Sequence, residues 1–187
     1  AEMARAAADT PTGMAAVLGG KPGDVAAALA AAGVTVANAN GGGQVVAAGT
    51  EEQLTALAEN PPTRAKVVKL KVAGAFHTKH MAPALAPLRE LAPQLNPQDP
   101  RVTLLSNFDG AAVTGGTAVL ESLVEQVCRP VRWDACMETM AELEVSQIVE
   151  LPPAGTLVGL AKRGLKGVPA TAVNTPEDLE TVRSTLT

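Results

Sequence analysis

His77 is the residue of this chain best equipped to move a proton. It lies in Gly74-Ala-Phe-His-Thr-Lys-His-Met81, between an alternating apolar run and a Pro-punctuated helix, at an expected junction of two lobes. Ligand sites favour such junctions. A neutral imidazole takes a proton from a serine hydroxyl through one nitrogen when its other N–H is held by an acceptor. A loop histidine also serves structure or faces solvent, and the local residues leave both readings open. His80 follows at HxxH spacing, but without a clustered carboxylate or cysteine it does not indicate a metal site.

No nucleophile accompanies this base. The serines are Ser106, Ser122, Ser146 and Ser184, and none stands between the glycines of a GxSxG elbow. Cys128 and Cys136 lack a companion His or Asn signature, and their spacing fits neither a disulfide framework nor a CxxC pair. They are expected to be buried small hydrophobes. The local residues thus supply half of a catalytic pair.

Two further features bear on binding. Gly41-Gly-Gly43 lets backbone amides approach a phosphate but lacks the strand-to-helix plan of a Walker or Rossmann loop, so a hairpin turn is expected. Asn38 and Asn40 beside it either present amides to a ligand or provide ordinary turn chemistry. Between Glu59 and Glu90 there is no acid, while Arg64, Lys66, Lys69, Lys71, Lys79 and Arg89 fall in that interval. This stretch either steers an anionic partner toward His77 or is a solvated strand face with gatekeeping lysines.

The elements that must position these residues follow from periodicity. Met14-Ala-Ala-Val-Leu18 reads as a strand, and Asp24 as the N-cap of an Ala-rich helix that ends at Gly33. Val34-Thr-Val-Ala37 and Gln44-Val-Val-Ala47 read as strands of a hairpin with Asn40-Gly41 at its turn. Thr50-Glu-Glu-Gln53 is a capping box opening a helix with Leu54 and Leu57 on one face. In residues 66–72, Val68, Leu70 and Val72 can face a core while Lys69 and Lys71 face water. The order βαββαβ is the ferredoxin-like arrangement, over residues 13–73.

From Gly74 onward helices alternate with short strands. Helices are expected at residues 82–95, 118–127 and 134–143, before Gly164, and after Thr175-Pro176. Strands are expected at residues 102–106, 147–151 and 169–173. This pattern means an α/β layer with a mostly parallel sheet. A doubly wound sheet needs more strands than these, so others are expected from outside this sequence.

Composition narrows the classes. At 47% hydrophobic and 18% charged the chain is too apolar for a disordered segment, and with only 2% aromatic residues its core must be Ala, Val and Leu. A net charge of -4 and the lack of aromatic platforms argue against nucleic-acid binding. No run reaches the roughly 18 apolar residues of a membrane span. The first residues show no apolar h-region, so the cytoplasm is the expected compartment.

Gly74-Ala-Phe-His77 with Met81 resembles the histidine loop of malonyl-selective acyltransferases. Further landmarks run in the same order: Thr12-Gly-Met-Ala-Ala-Val17, Val36-Ala-Asn-Ala-Asn40, Gly43-Gln-Val-Val-Ala-Ala-Gly49, Leu105-Ser-Asn107, Gln126 with Pro130-Val-Arg-Trp133, and Pro153-Ala-Gly-Thr-Leu157. Together they make the chain similar to the C-terminal part of the malonyl-CoA:acyl carrier protein transacylases, closest to actinobacterial forms.

The resemblance implies a partial α/β-hydrolase-like parallel-sheet domain, residues 1–12 and 74–187, interrupted by the ferredoxin-like subdomain at 13–73. It implies a ping-pong reaction in fatty-acid biosynthesis, in which a serine accepts malonyl from malonyl-CoA and the phosphopantetheine thiol of acyl carrier protein removes it. His77 carries over as the base, and Gln126 as the residue whose main-chain carbonyl holds the imidazole N–H. Phe76 carries over as the bulky neighbour of the acyl C2 position, with Asn38 and Asn40 at the mouth of the site. No cofactor beyond the partner's phosphopantetheine is implied.

Three family elements have no counterpart here: the serine elbow, a glutamine whose backbone helps form the oxyanion hole, and an arginine that pairs with the malonate carboxylate. The match puts that arginine just before Ala1. The chain alone is therefore expected to be inactive and to need a missing N-terminal segment of the same enzyme. An acyltransferase domain of a polyketide synthase and a non-catalytic module that binds carrier protein are the alternatives.

Overall fold

The structure, a computed structural model, describes residues 1–185. The chain divides into two compact units, Ala1–Cys136 and a second beginning at Met137. Both are mixed α/β. The βαββαβ run expected at residues 13–73 lies wholly within the first.

The first unit opens with a helix absent from the sequence reading, α1 (Glu2–Asp9), and continues with β1 (Thr12–Gly19), α2 (Pro22–Ala32), β2 (Thr35–Gly41), β3 (Gln44–Thr50), α3 (Glu51–Glu59) and β4 (Ala65–Lys69). These strands and the later β7 (Val131–Arg132) form one sheet in the order β4-β1-β3-β2-β7. β1 pairs antiparallel with β3 and β4, β2 antiparallel with β3, and β2 parallel with β7. Side chains alternate across β1. Ala15 and Val17 join Val25 and Leu29 of α2 and Leu54 and Leu57 of α3 in one core, while Met14 joins Val46, Ala48 and Ala75 on the other face.

Local chemistry explains most boundaries. Thr50 accepts the Gln53 N–H, and the Gln53 side chain accepts the Thr50 N–H at 2.9 Å, completing the expected capping box of α3. Gly33 ends α2 in the left-handed conformation at φ +68°. The N-cap of α2 is Lys21 rather than Asp24: Pro22 pre-sets the first helical φ and moves the start forward, leaving Asp24 in the first turn. The hairpin turn is Gly42-Gly43, not Asn40-Gly41. Gly41 pairs with Gln44, and both turn residues have positive φ, +56° and +78°, which only glycine adopts without strain.

β4 ends at Lys69, short of the expected Val72. Its apolar residues also divide otherwise than the alternation suggested. Val67 packs toward the helices and Leu70 toward the opposite face, whereas Val68 and Val72 are exposed. An edge strand buries only what its neighbours cover, and Lys69 on the helix side is tied to Glu51 by an ion pair.

The helix expected at residues 82–95 is broken. A 3₁₀ turn over Lys79–Ala84, α4 (Leu85–Leu91) and a second 3₁₀ turn over Ala92–Gln94 replace it, because Pro83 and Pro93 donate no N–H to a continuous ladder. The strand at 102–106 shrinks to β5 (Leu104–Leu105), which pairs with an unexpected β6 (Ala112–Val113). α5 (Gly116–Gln126) and α6 (Trp133–Glu142) lie within two residues of their expected bounds.

In the second unit β8 (Ile148–Glu150) pairs in parallel with β9 (Ala170–Ala172), accompanied by α7 (Thr156–Gly164) and α8 (Pro176–Thr185). Among the described residues no helix is long and apolar enough to cross a membrane.

Candidate active site

The loop after β4 is held by groups distant in sequence. Gly74 packs directly on α1, where an added Cβ would stand 2.8 Å from the Cβ of Ala7, so only glycine fits. The Ala75 N–H donates to the Thr12 hydroxyl at 3.0 Å, and the Ala75 carbonyl accepts from the Thr78 hydroxyl at 2.7 Å. Ala75, Thr78 and Met81 are all buried, with Met81 in a cluster formed by Ala6, Ala7, Ala84 and Val127. Both ends of the loop are therefore anchored.

His77 stands between these anchors with φ +58°, a left-handed backbone that costs a non-glycine residue about 1–2 kcal/mol. Strain of this kind persists where surrounding contacts over-determine the backbone, and it clusters at functional sites. The ring is half-buried, and its Nδ1 lies 2.9 Å from the main-chain oxygen of Gln126. A carbonyl oxygen only accepts, so the neutral ring donates through Nδ1–H and keeps Nε2 as its acceptor nitrogen.

Gln126 is the last residue of α5, where the helix leaves carbonyls without intrahelical partners. Its oxygen takes the His77 ring and, at 3.2 Å, the N–H of Arg129. The residue is 6% exposed, and its side chain donates from Nε2 to the carbonyls of Arg129 and Pro130, both at 2.9 Å.

Phe76 is half-buried and packs against two clusters, that of Met81 and that of Met14 and Val46. A bulge between Val36 and Asn38 sets Asn38 opposite Val46 in the β2–β3 register. The extra residue turns Asn38 to the sheet face that Phe76 covers, whereas a regular strand would turn it to the helices. Asn40 is 8% exposed and belongs to β2, not to the turn. Neither asparagine side chain hydrogen-bonds to His77 among the described residues.

The other candidates lie elsewhere or are engaged. Among the described residues no group of three His, Cys, Asp or Glu side chains could hold a metal ion, His80 included. Both cysteines are free, and burial pushes both thiols upward, with Glu125 adding to the shift at Cys128 and Asp109 at Cys136. Thiols so shifted are poor nucleophiles. The Ser122 hydroxyl donates to the Val119 carbonyl, and that of Ser106 accepts the Phe108 N–H. In the basic stretch Lys69 pairs with Glu51 and Arg89 with Glu125. Sequence reasoning missed Thr12 and Thr78, since a lone threonine carries no signal of the peptide it will hold.

A histidine fixed through Nδ1 on a mixed α/β frame keeps Nε2 as an acceptor that can take a proton from a neighbouring group. The chain belongs to the acyl transferase domain family, which it matches over residues 2–181. It is 53% identical over 180 residues to the malonyl CoA-acyl carrier protein transacylase of Mycobacterium tuberculosis, a match covering 96% of this chain and 60% of that protein. The crystal structure of MCAT from the same organism superposes with a TM-score of 0.92 at 52% identity, over 97% of this chain and 60% of that one. A malonyl-transacylase in complex with a type II PKS acyl-carrier protein superposes at 0.88 with 27% identity, over 98% of this chain and 62% of that chain. The chain thus spans about 60% of the length of these curated mycobacterial relatives.

Proposed function

We propose that this chain is the base-bearing part of a malonyl-CoA:acyl carrier protein transacylase serving fatty-acid synthesis. The observation that carries the reading is the 2.9 Å approach of His77 Nδ1 to the Gln126 oxygen in a member of the acyl transferase domain family. Nε2 takes the proton of a serine hydroxyl as that oxygen attacks the malonyl thioester. The C–S bond breaks, and the coenzyme A thiolate leaves with the proton from His77. In the second half-reaction His77 takes the proton of the carrier's phosphopantetheine thiol, whose sulfur attacks the acyl ester. The C–O bond breaks and the serine oxygen recovers the proton. The Gln126 carbonyl performs the orienting work of a triad carboxylate.

The sequence contains no GxSxG, so the serine, the oxyanion-hole backbone and the carboxylate-binding arginine of this reading come from another segment of polypeptide. The 187 residues alone form no acyl-enzyme. Phe76 crowds the acyl C2 position and favours malonyl over branched groups, with Asn38 and Asn40 at the mouth of the site. The chain carries no cofactor of its own and works in the cytoplasm. The β4-β1-β3-β2 order supports a ferredoxin-like subdomain at residues 13–73, the remainder belonging to an α/β-hydrolase-like domain.

The test is intact mass after exposure to malonyl-CoA. The chain alone should remain unmodified, whereas co-expression with the part of the mycobacterial relative that this chain does not match should place one malonyl group on that polypeptide. A persistent lack of adduct in the complemented sample would refute the reading. The relative solved with a type II PKS carrier protein favours one variant, delivery to a polyketide carrier. Transfer rates to the two carrier types decide between them.

A further inference from the structure

The main-chain oxygen that holds His77 belongs to a residue whose side chain is itself engaged. Gln126 Nε2 donates to both Arg129 O and Pro130 O, each at 2.9 Å, and so ties the end of α5 to the turn that leads into β7. Those bonds use both protons of the amide and fix which of its atoms is nitrogen. Oε1 consequently points away into a buried position with no hydrogen-bond partner among the described residues. A buried unpaired acceptor costs about 1–3 kcal/mol, and natural interiors retain few of them. An aliphatic side chain of the same length would bury without that cost.

The geometry points to a positioning role for the Gln126 side chain, in which its amide clamps the 126–130 turn and thereby aims the main-chain oxygen at His77 Nδ1. The carbonyl plane of Gln126 is set by the peptide that follows it, the first of this turn. The Arg129 N–H shares the same oxygen at 3.2 Å, so rotation of that peptide would loosen both contacts together. Without the clamp the oxygen swings off the ring, the Nδ1–H tautomer is no longer selected, and Nε2 carries the proton in part of the population. The inference rests on the proposed role of His77 as base.

The state of the His77 ring and malonyl transfer are measured separately. In the 187-residue chain, ¹⁵N NMR of the neutral His77 ring should show a single Nδ1–H tautomer, and Gln126→Met should give a mixture while the other amide signals stay in place. Gln126→Glu, which turns acceptors toward the two carbonyls, should do the same. A pure Nδ1–H tautomer in either folded variant overturns the inference. So does fast solvent exchange of the Gln126 side-chain amide protons in the unaltered protein, a measurement that requires no variant. In the enzyme complemented with its serine-bearing part, Gln126→Met should lower kcat roughly tenfold with KM unchanged and distort the pH–rate profile. If the complemented unaltered protein transfers no malonyl group while the tautomer result holds, the functional reading fails and the clamp stands.

Discussion

The hydroxyl of Thr12 accepts the N–H of Ala75 at 3.0 Å across 63 residues of sequence, joining the first strand of the sheet to the loop that carries His77. With the Thr78 hydroxyl on the Ala75 carbonyl, both polar groups of one buried residue are held by threonines. Thr12→Val and Thr78→Val should each cost about 1–3 kcal/mol by leaving a buried group unpaired. The double variant should cost less than the sum, since both side chains hold the same residue. Urea denaturation of the four proteins measures this, and Thr78→Ser should retain most of the stability.

His77 keeps a left-handed backbone at φ +58°, and that strain is separable from its chemistry. His77→Gly should be more stable than His77→Ala by about 1 kcal/mol, the reverse of their order at an ordinary position. In the complemented enzyme both should lower malonyl transfer by about 10²–10⁴-fold. Equal stabilities of the two variants would show that the loop relaxes to a negative φ.

Phe76 bridges two apolar clusters and also precedes His77 in the chain. Phe76→Ser should raise the use of methylmalonyl-CoA relative to malonyl-CoA by about 10–200-fold, the range a methyl-sized discrimination allows. Competition between the two thioesters in one reaction, read by mass spectrometry of the loaded carrier, is the measurement. An unchanged ratio would reduce Phe76 to packing alone.

Glu150 ends β8 and turns its carboxylate onto the start of α7, accepting the N–H groups of Gly155, Leu157 and Val158 at 2.8–2.9 Å. Burial raises its pKa, but the three amides together outweigh that effect and hold the carboxyl below the ordinary range. A group with a lowered folded pKa favours the folded state above its unfolded pKa and loses that contribution as pH falls through the folded value. Order around α7 should therefore weaken as pH drops below the usual carboxylate range. Glu150→Gln should be less stable at neutral pH and flatter in its acid response, as hydrogen exchange of the Leu157 and Val158 amides would reveal.

What the sequence determined by itself was short-range or carried by ordered motifs. The capping box at Thr50–Gln53, the glycine stop at Gly33, the βαββαβ order and the 74–81 histidine loop depend on neighbours within a few positions, and the run of landmarks sufficed to identify the family. Only the tertiary structure decided where β4 stops, that Val68 and Val72 stay exposed, that the 82–95 helix breaks at its prolines, and that a bulge turns Asn38 to the face of Phe76. It also brought Gln126 to His77 and Thr12 to Ala75, from 49 and 63 residues away. Such contacts depend on packing between segments far apart in the chain, and a hydroxyl or a main-chain carbonyl shows no preference in sequence for the distant group it will meet.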